Sequence, residues 1–72
     1  MTLFNERIKL VRTSRNMTQK EFAQLINVAE RAYQYYEAGK REPTLDKVAE
    51  IAKHLDISLD YLVGLTDKPE RR

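Results

Sequence analysis

Few side chains in this 72-residue sequence could support catalysis or metal binding. There is no cysteine and only one histidine, His54, which excludes disulfides, thiolate sites and multi-histidine metal sites. The two serines, Ser14 and Ser58, have no histidine placed for a hydrolytic triad. The two glycines, Gly39 and Gly64, lie too far apart for a phosphate-cradling loop. We therefore expect no enzyme, no catalytic residue, no metal site and no cofactor.

Hydrogen-bonding side chains are instead concentrated on one face of a short helix, predicted over about residues 29–38. Ala32, Tyr33 and Tyr36 mark the apolar face of this helix, and we assign Tyr33 and Tyr36 to the core. The other face of the helix is either an ordinary solvated surface or a set of donors and acceptors for a partner. The opposite face has four polar residues at positions i, i+1, i+4 and i+5: Glu30, Arg31, Gln34 and Tyr35.

The distribution of charge favours an anionic partner for the first part of the chain. Residues 1–43 contain eight Lys/Arg and five Asp/Glu, a net charge of +3, whereas residues 44–72 have a net charge of −1. By charge alone, a chance excess is an equally good explanation. No apolar run approaches the ~20 residues of a membrane helix. The N-terminus also lacks the apolar stretch of a signal peptide, so we expect a cytoplasmic protein with no membrane partner.

Apolar periodicity and end signals divide the chain into five helices and no strand, an all-α fold. Predicted N-caps are Thr2, Thr18, Thr44 and Ser58, with Thr18 and Glu21 forming a capping box. Helix ends are predicted at Asn16, Asn27, Gly39 and Asp56. The predicted helices span about 3–15, 18–26, 29–38, 45–54 and 59–64. Their inward residues are Phe4, Ile8, Val11, Phe22, Ala23, Ile26, Leu45, Val48, Ile51, Ala52, Leu55, Leu59 and Leu62.

The second and third helices are predicted to form a helix-turn-helix over residues 18–39. Ala23 is small enough for the third helix to cross closely, and Asn27 permits the sharp turn between the helices. Val28 fills the angle between them. The polar face of the third helix then lies outward, and a helix of this size fits the major groove of B-DNA.

These residues resemble a known family. The segments TQKEFAQLINV, YQYYEAGKREP and LDKVAEIAKHLDISLDYL are similar to the Cro-type, lambda-repressor-like helix-turn-helix domain of the XRE family. The resemblance covers about residues 3–65 and implies a compact five-helix domain. The chain departs from the family pattern at Asn27, where glycine is usual, and at Ala29, where a capping Ser or Thr is common. The shared markers are Arg12, Gln19, Ala23, Glu37, Gly39, Lys40, Pro43, Ile51 and Ala52.

The resemblance also implies roles for individual residues. Arg pairs well with guanine, Gln with adenine and a carboxylate with cytosine, which suits base readout by Glu30, Arg31, Gln34 and Tyr35. Tyr35 is alternatively a phosphate contact or a contact to a neighbouring helix. Arg12 and Glu37 are expected to form a structural ion pair. Phosphate contacts are expected from Thr18, Gln19, Lys20, Lys40 and Arg41, with plain surface charge as the alternative for Lys40 and Arg41.

The function that the resemblance implies is sequence-specific binding of double-stranded DNA by a transcriptional regulator, expected to be a repressor. The alternative is a protein-interaction module of the same fold, of the antitoxin or anti-repressor kind. A homodimer on a palindromic operator is expected, with Tyr61, Val63 and Leu65 at the dimer contact. Val63 and Leu65 alternatively fold back onto the first helix. The DNA-binding domain is predicted to span 1–65, and residues 66–72 a flexible charged tail.

Overall fold

The computed structural model describes residues 3–71, and within that range the chain is all-α with no strand, as predicted. The predicted helix bounds agree with the observed ones to within two residues. The predicted cap Thr2 lies outside the described residues. The five helices are α1 (Phe4–Ser14), α2 (Gln19–Leu25), α3 (Glu30–Ala38), α4 (Leu45–Leu55) and α5 (Leu59–Leu62).

Side-chain caps and left-handed residues set the helix ends. Thr18 Oγ1 accepts a hydrogen bond from the amide of Glu21 (3.1 Å), and the Glu21 carboxylate accepts one from the amide of Thr18 (2.8 Å), which confirms the capping box. Thr44 and Ser58 cap α4 and α5 by accepting hydrogen bonds from the amides of Lys47 (3.2 Å) and Tyr61 (3.2 Å). Ala29 provides no side-chain cap for α3. The predicted stops all have positive φ: 56° at Asn16, 59° at Asn27, 74° at Gly39 and 55° at Asp56.

Helix α1 packs against α3 and α5, α2 packs against α3, and α4 packs against α5, with one core between them. Two ring contacts join the helices: Phe4 meets Tyr36 edge-on with centroids 6.0 Å apart, and Phe22 lies 5.3 Å from Tyr33. Pro43, in the connector after α3, is also buried. The buried apolar residues are Phe4, Ile8, Val11, Phe22, Ala23, Ile26, Tyr33, Tyr36, Val48, Ile51, Ala52, Leu55 and Leu62.

One predicted core residue is wrong. Leu45 shares the helical stripe of Val48, but its side chain is 67% exposed. It is the first residue of α4, one turn before Val48, and at that end of the helix no element covers it. Leu59, the first residue of α5 and also predicted for the core, is half-buried and packs against the core.

The C-terminal segment lies against the helical body. The amide of Ser58 donates to the carbonyl of Pro69 (2.9 Å), and Ile57 forms an isolated bridge with Glu70. Arg71 forms an exposed ion pair with Asp56 (3.1 Å). The division of the chain at residue 65 and the flexibility of the tail stay predictions.

Candidate nucleic-acid interface

Helices α2 and α3 form the helix-turn-helix. The turn is closed by a hydrogen bond from the amide of Val28 to the carbonyl of Ala23 (2.9 Å), with left-handed Asn27 between them. Ala23 is buried at the crossing, and Val28 is half-buried in the angle and packs against the core. The short turn and the small Ala23 therefore fix the angle at which α3 leaves the body.

Helix α3 separates its two faces by burial. Tyr33 and Tyr36 are buried, whereas Glu30, Arg31 and Gln34 are exposed. The amide of Gln34 donates a long hydrogen bond to Glu30 (3.4 Å), and Arg31 forms no ion pair with any residue of the described chain. Three of the four residues predicted for base contact thus present donors and acceptors to solvent. The fourth, Tyr35, is half-buried, and the guanidinium of Arg41 lies over its ring at 5.6 Å from the centroid.

The residues predicted for phosphate contact are divided between two places. Thr18, Gln19 and Lys20 are at the start of α2, and Lys40 and Arg41 follow the end of α3. Lys20, Lys40 and Arg41 are exposed. Thr18 is exposed too, but its hydroxyl accepts the capping hydrogen bond from the Glu21 amide. Cationic side chains therefore lie at the start of α2 and just beyond the end of α3.

Gln19 is held by a network centred on Glu37. The amide of Gln19 donates to Oε1 of Glu37 (3.0 Å), and Arg12 donates to Oε2 (2.6 Å) and Oε1 (3.2 Å). The hydroxyl of Tyr33 also donates to Glu37, and Arg12 donates in addition to the carbonyl of Met17 (2.9 Å). The structure therefore brings Arg12 and Glu37 together and connects α1, α2 and α3 through one carboxylate.

Burial gives this network its strength. The side chains of Arg12 and Glu37 are 15% and 6% exposed. Burial opposes ionisation of Glu37, but the hydrogen bonds from Arg12, Tyr33 and Gln19 outweigh it and hold the pKa of Glu37 below its usual value. The hydrogen bond to Glu37 raises the pKa of Arg12, and burial together with that carboxylate raises the pKa of the Tyr33 phenol. Both partners of the ion pair are therefore charged at neutral pH.

Sequence reasoning missed Arg7 of α1. Its guanidinium donates to the carbonyls of Tyr61 (3.3 Å) and Thr66 (2.9 Å) and to the carboxylate of Asp67 (2.9 Å). It also lies 4.3 Å from the centroid of the Tyr61 ring, and its side chain is 13% exposed. A signal was present in the sequence, because Arg7 borders the apolar stripe of Phe4 and Ile8. The sequence does not show that residues 54 to 60 positions later would supply its acceptors.

The predicted dimer contacts differ in exposure. Tyr61 and Val63 are half-buried and pack against the core, whereas Leu65 is 77% exposed. Leu10 of α1 is also exposed. It lines a shallow hollow together with Val11, Ser14, Arg15, Ile57, Tyr61 and Pro69. Because its side chain is so exposed, Leu65 is not folded back onto α1, whereas Val63 packs against the core.

The part of the chain that the structure describes shows no cluster of three residues able to hold a metal ion. In residues 3–71, every helix is too short or too polar to cross a membrane. No solved structure matches the chain significantly.

Comparison with known sequences gives several relatives. The uncharacterised HTH-type transcriptional regulator YobD of Bacillus subtilis is 35% identical over 68 residues, which cover 94% of this chain and 61% of YobD. The cryptic phage CTXphi transcriptional repressor RstR of Vibrio cholerae is 37% identical over 59 residues, 82% of this chain and 53% of RstR. The HTH-type transcriptional activator BcrR of Enterococcus faecalis is 32% identical over 61 residues, 85% of this chain and 30% of BcrR.

The chain thus spans less than two thirds of the length of each of these relatives. A family model described as helix-turn-helix (HTH_3) matches residues 8–62, which include the network around Glu37 and the exposed face of α3. The match agrees with the resemblance inferred from the sequence, and this chain belongs to the helix-turn-helix family.

Proposed function

We propose that the protein binds double-stranded DNA in a sequence-specific manner and regulates transcription. The observation that supports this best is the exposed polar face of α3, the second helix of the helix-turn-helix, where Glu30, Arg31 and Gln34 are all open to solvent. The relatives are named as transcriptional regulators, and we propose that this chain likewise acts by binding rather than by catalysis. These relatives are bacterial, and bacterial DNA lies in the cytoplasm, so we propose a cytoplasmic location.

In this proposal α3 lies in the major groove and reads base edges. Arg31 can donate two hydrogen bonds to guanine, Gln34 can pair with adenine, and Glu30 can accept from the cytosine amino group. The hydrogen bond between Gln34 and Glu30 is long at 3.4 Å, so it is readily exchanged for contacts to bases. Tyr35, the fourth residue predicted for base contact, has a half-buried ring and is the least accessible of the four.

The phosphate backbone is proposed to lie along the ends of α2 and α3. Exposed Lys20, Lys40 and Arg41 supply positive charge there, and the start of α2 adds backbone amides and the helix dipole. Thr18 is placed beside them at the N-cap. Gln19 is the proposed contact with the least freedom, since its amide already donates to Glu37.

We further propose a homodimer on a palindromic operator. One recognition helix contacts few base pairs, and a two-fold axis places two such helices ~34 Å apart, one turn of DNA. Leu65, with Tyr61 and Val63 beside it, is the proposed contact, because an exposed leucine next to two half-buried apolar residues gives a small self-complementary surface. The Tyr61→Asp variant then forms fewer two-chain complexes on a palindromic duplex than wild type.

Repression is the proposed sign of regulation, because a domain seated in the major groove excludes other proteins from the same DNA. The relatives include a protein named as a repressor and one named as an activator. A reporter gene placed behind the selected site distinguishes the two signs. Expression falls with the protein present if it represses.

Selection of bound duplexes from random DNA tests the central proposal. We expect an enriched sequence, and an affinity that falls steeply as salt is raised, because each phosphate contact releases a counterion. Binding that shows no sequence preference and no salt dependence contradicts it. The protein would then fit the other reading of the fold, a module whose acidic Glu30 and neighbouring residues contact a protein such as a toxin.

A further inference from the structure

The connector between α3 and α4 is fixed at both of its ends. At its start, left-handed Gly39 reverses the chain, and the amide of Lys40 donates to the carbonyl of Tyr35 (3.0 Å). At its end, Pro43 is buried, and Thr44 caps α4. Arg41 lies between these anchors, so its backbone is held while its side chain is exposed.

The guanidinium of Arg41 has one contact of note in the described chain. It lies over the ring of Tyr35 at 5.6 Å from the centroid, within the range of a cation–π interaction. Within residues 3–71 it makes no hydrogen bond and no ion pair. All of its N–H donors are therefore available to a partner, while the ring restricts where the side chain can go.

Arg7 also lies over a tyrosine ring, and comparing the two arginines shows how Arg41 differs. Arg7 lies over the ring of Tyr61, but its N–H groups donate to two carbonyls and to Asp67. That pair is internally satisfied and joins two parts of the fold. Arg41 likewise lies over a tyrosine ring, but none of its N–H groups donates a hydrogen bond within residues 3–71. These groups can therefore donate to an acceptor on a partner molecule.

We propose that Tyr35 is a positioning residue: its ring holds Arg41 so that the guanidinium contacts a DNA phosphate beside the bases read by α3. The inference deepens the proposed function and rests on it. Tyr35 is the sixth residue of α3, whereas base contacts come mainly from the first residues of a recognition helix. Arg41, beyond the end of that helix, is placed for the backbone. A planar guanidinium bonds phosphate in a bidentate manner, and prior ordering reduces the entropy lost on binding.

A double-mutant cycle on DNA tests this role. The probes are the duplex enriched by wild type and a scrambled duplex of the same length. Tyr35→Leu is expected to weaken binding to both about two- to fivefold, the size of an exposed cation–π contribution. Arg41→Ala is expected to weaken binding at least as much and to lower the salt slope by about one unit. In the Arg41→Ala background, Tyr35→Leu costs nothing further.

Two controls separate this role from a structural one. Tyr35→Phe keeps the ring and is expected to retain the wild-type affinity and sequence preference. In a Lys40→Ala background, Tyr35→Leu retains its full cost, because Lys40 does not share the ring. Thermal melting checks each variant. If Tyr35→Leu lowers the melting temperature, Tyr35→Met replaces it in the cycle, because methionine has a similar length and no ring.

The outcomes distinguish this inference from the proposed function. If Tyr35→Phe loses discrimination at one base pair, the hydroxyl reads a base and the positioning role is overturned. An undiminished cost of Tyr35→Leu in the Arg41→Ala background overturns it too. In both cases DNA binding and the Arg31 contact remain. A wild-type protein that neither selects a sequence nor responds to salt overturns the proposed function and this inference together.

Discussion

The junction of the first three helices and the outer face of α3 are built from the same four kinds of side chain. Arg12, Gln19, Tyr33 and Glu37 make up the junction, and the outer face has Glu30, Arg31, Gln34 and Tyr35. In the junction, one buried carboxylate accepts hydrogen bonds from the other three side chains. On the outer face, Glu30, Arg31 and Gln34 are exposed and Tyr35 is half-buried, and a long hydrogen bond joins Gln34 to Glu30. Burial and mutual hydrogen bonding, rather than residue type, decide which set stabilises the fold and which remains open to a partner.

The largest expected effect is on stability and comes from breaking the junction. Arg12→Ala leaves Glu37 buried without its ion-pair partner, and we expect the free energy of unfolding to fall by about 3 kcal/mol. Arg31→Ala on the outer face is the matched control and is expected to change it by less than about 0.5 kcal/mol. Urea unfolding of both variants measures the difference. Equal midpoints for Arg12→Ala and wild type would show that the two sites are alike after all.

The next effect is on DNA affinity and reverses the order of the two arginines. Arg31→Ala is expected to cost about 1–3 kcal/mol of binding free energy and to relax the preference at one base pair, because its contacts are to a base edge. Titration of the selected duplex and its single-base variants measures both. A uniform loss on every duplex would assign Arg31 to the phosphate backbone instead.

A pH effect is expected from the junction alone. Because the pKa of Glu37 is lowered in the folded protein, its contribution to stability is complete above the ordinary glutamate pKa. That contribution is lost as the pH falls through the lowered value. Glu37→Gln removes the contribution, so the variant is expected to lose less stability than wild type between neutral and acidic pH. Urea unfolding across that range measures it, with Glu30→Gln as the matched outer-face control. Parallel pH profiles for wild type and Glu37→Gln would contradict the assignment.

The smallest expected effect distinguishes the two glutamines. Gln19→Ala removes one of several hydrogen bonds to a buried carboxylate and is expected to cost about 1 kcal/mol of stability. Gln34→Ala removes a long, exposed hydrogen bond and is expected to leave the unfolding midpoint unchanged within error. Thermal melting of the two variants side by side is the measurement. A larger loss for Gln34→Ala would mean that the outer face supports α3 itself.

Local signals in the sequence were enough to predict the helices. The capping box of Thr18 and the left-handed stops at Asn27 and Gly39 depend on neighbours along the chain, and the structure confirms each of them. Periodicity wrongly predicts Leu45 in the core, because it gives the face of a residue but not whether another element reaches that end of the helix. The rest of the stripe, from Val48 to Leu55, is predicted correctly, and its apolar residues are buried.

The candidate site was predictable where one helix carries it and less so where distant segments meet. The outward direction of Glu30, Arg31 and Gln34 follows from the period of α3 alone. The contacts of Arg7 with Tyr61, Thr66 and Asp67 could not be inferred, because they depend on how α1 and the C-terminal segment pack. Nor does the sequence show that Arg41 lies over Tyr35, a contact set by the turn at Gly39.

The separation of faces on α3 has a consequence for how such a protein changes its target. The side chains at 33 and 37 point into the junction, and those at 30, 31 and 34 share no hydrogen bond with them. Substitutions at the three outer positions are therefore expected to cost little stability, singly or together. A lineage that keeps Tyr33 and Glu37 can then exchange its outer side chains through folded intermediates. For the same reason, transplanting three outer residues from a relative is the simplest design for a protein with altered specificity.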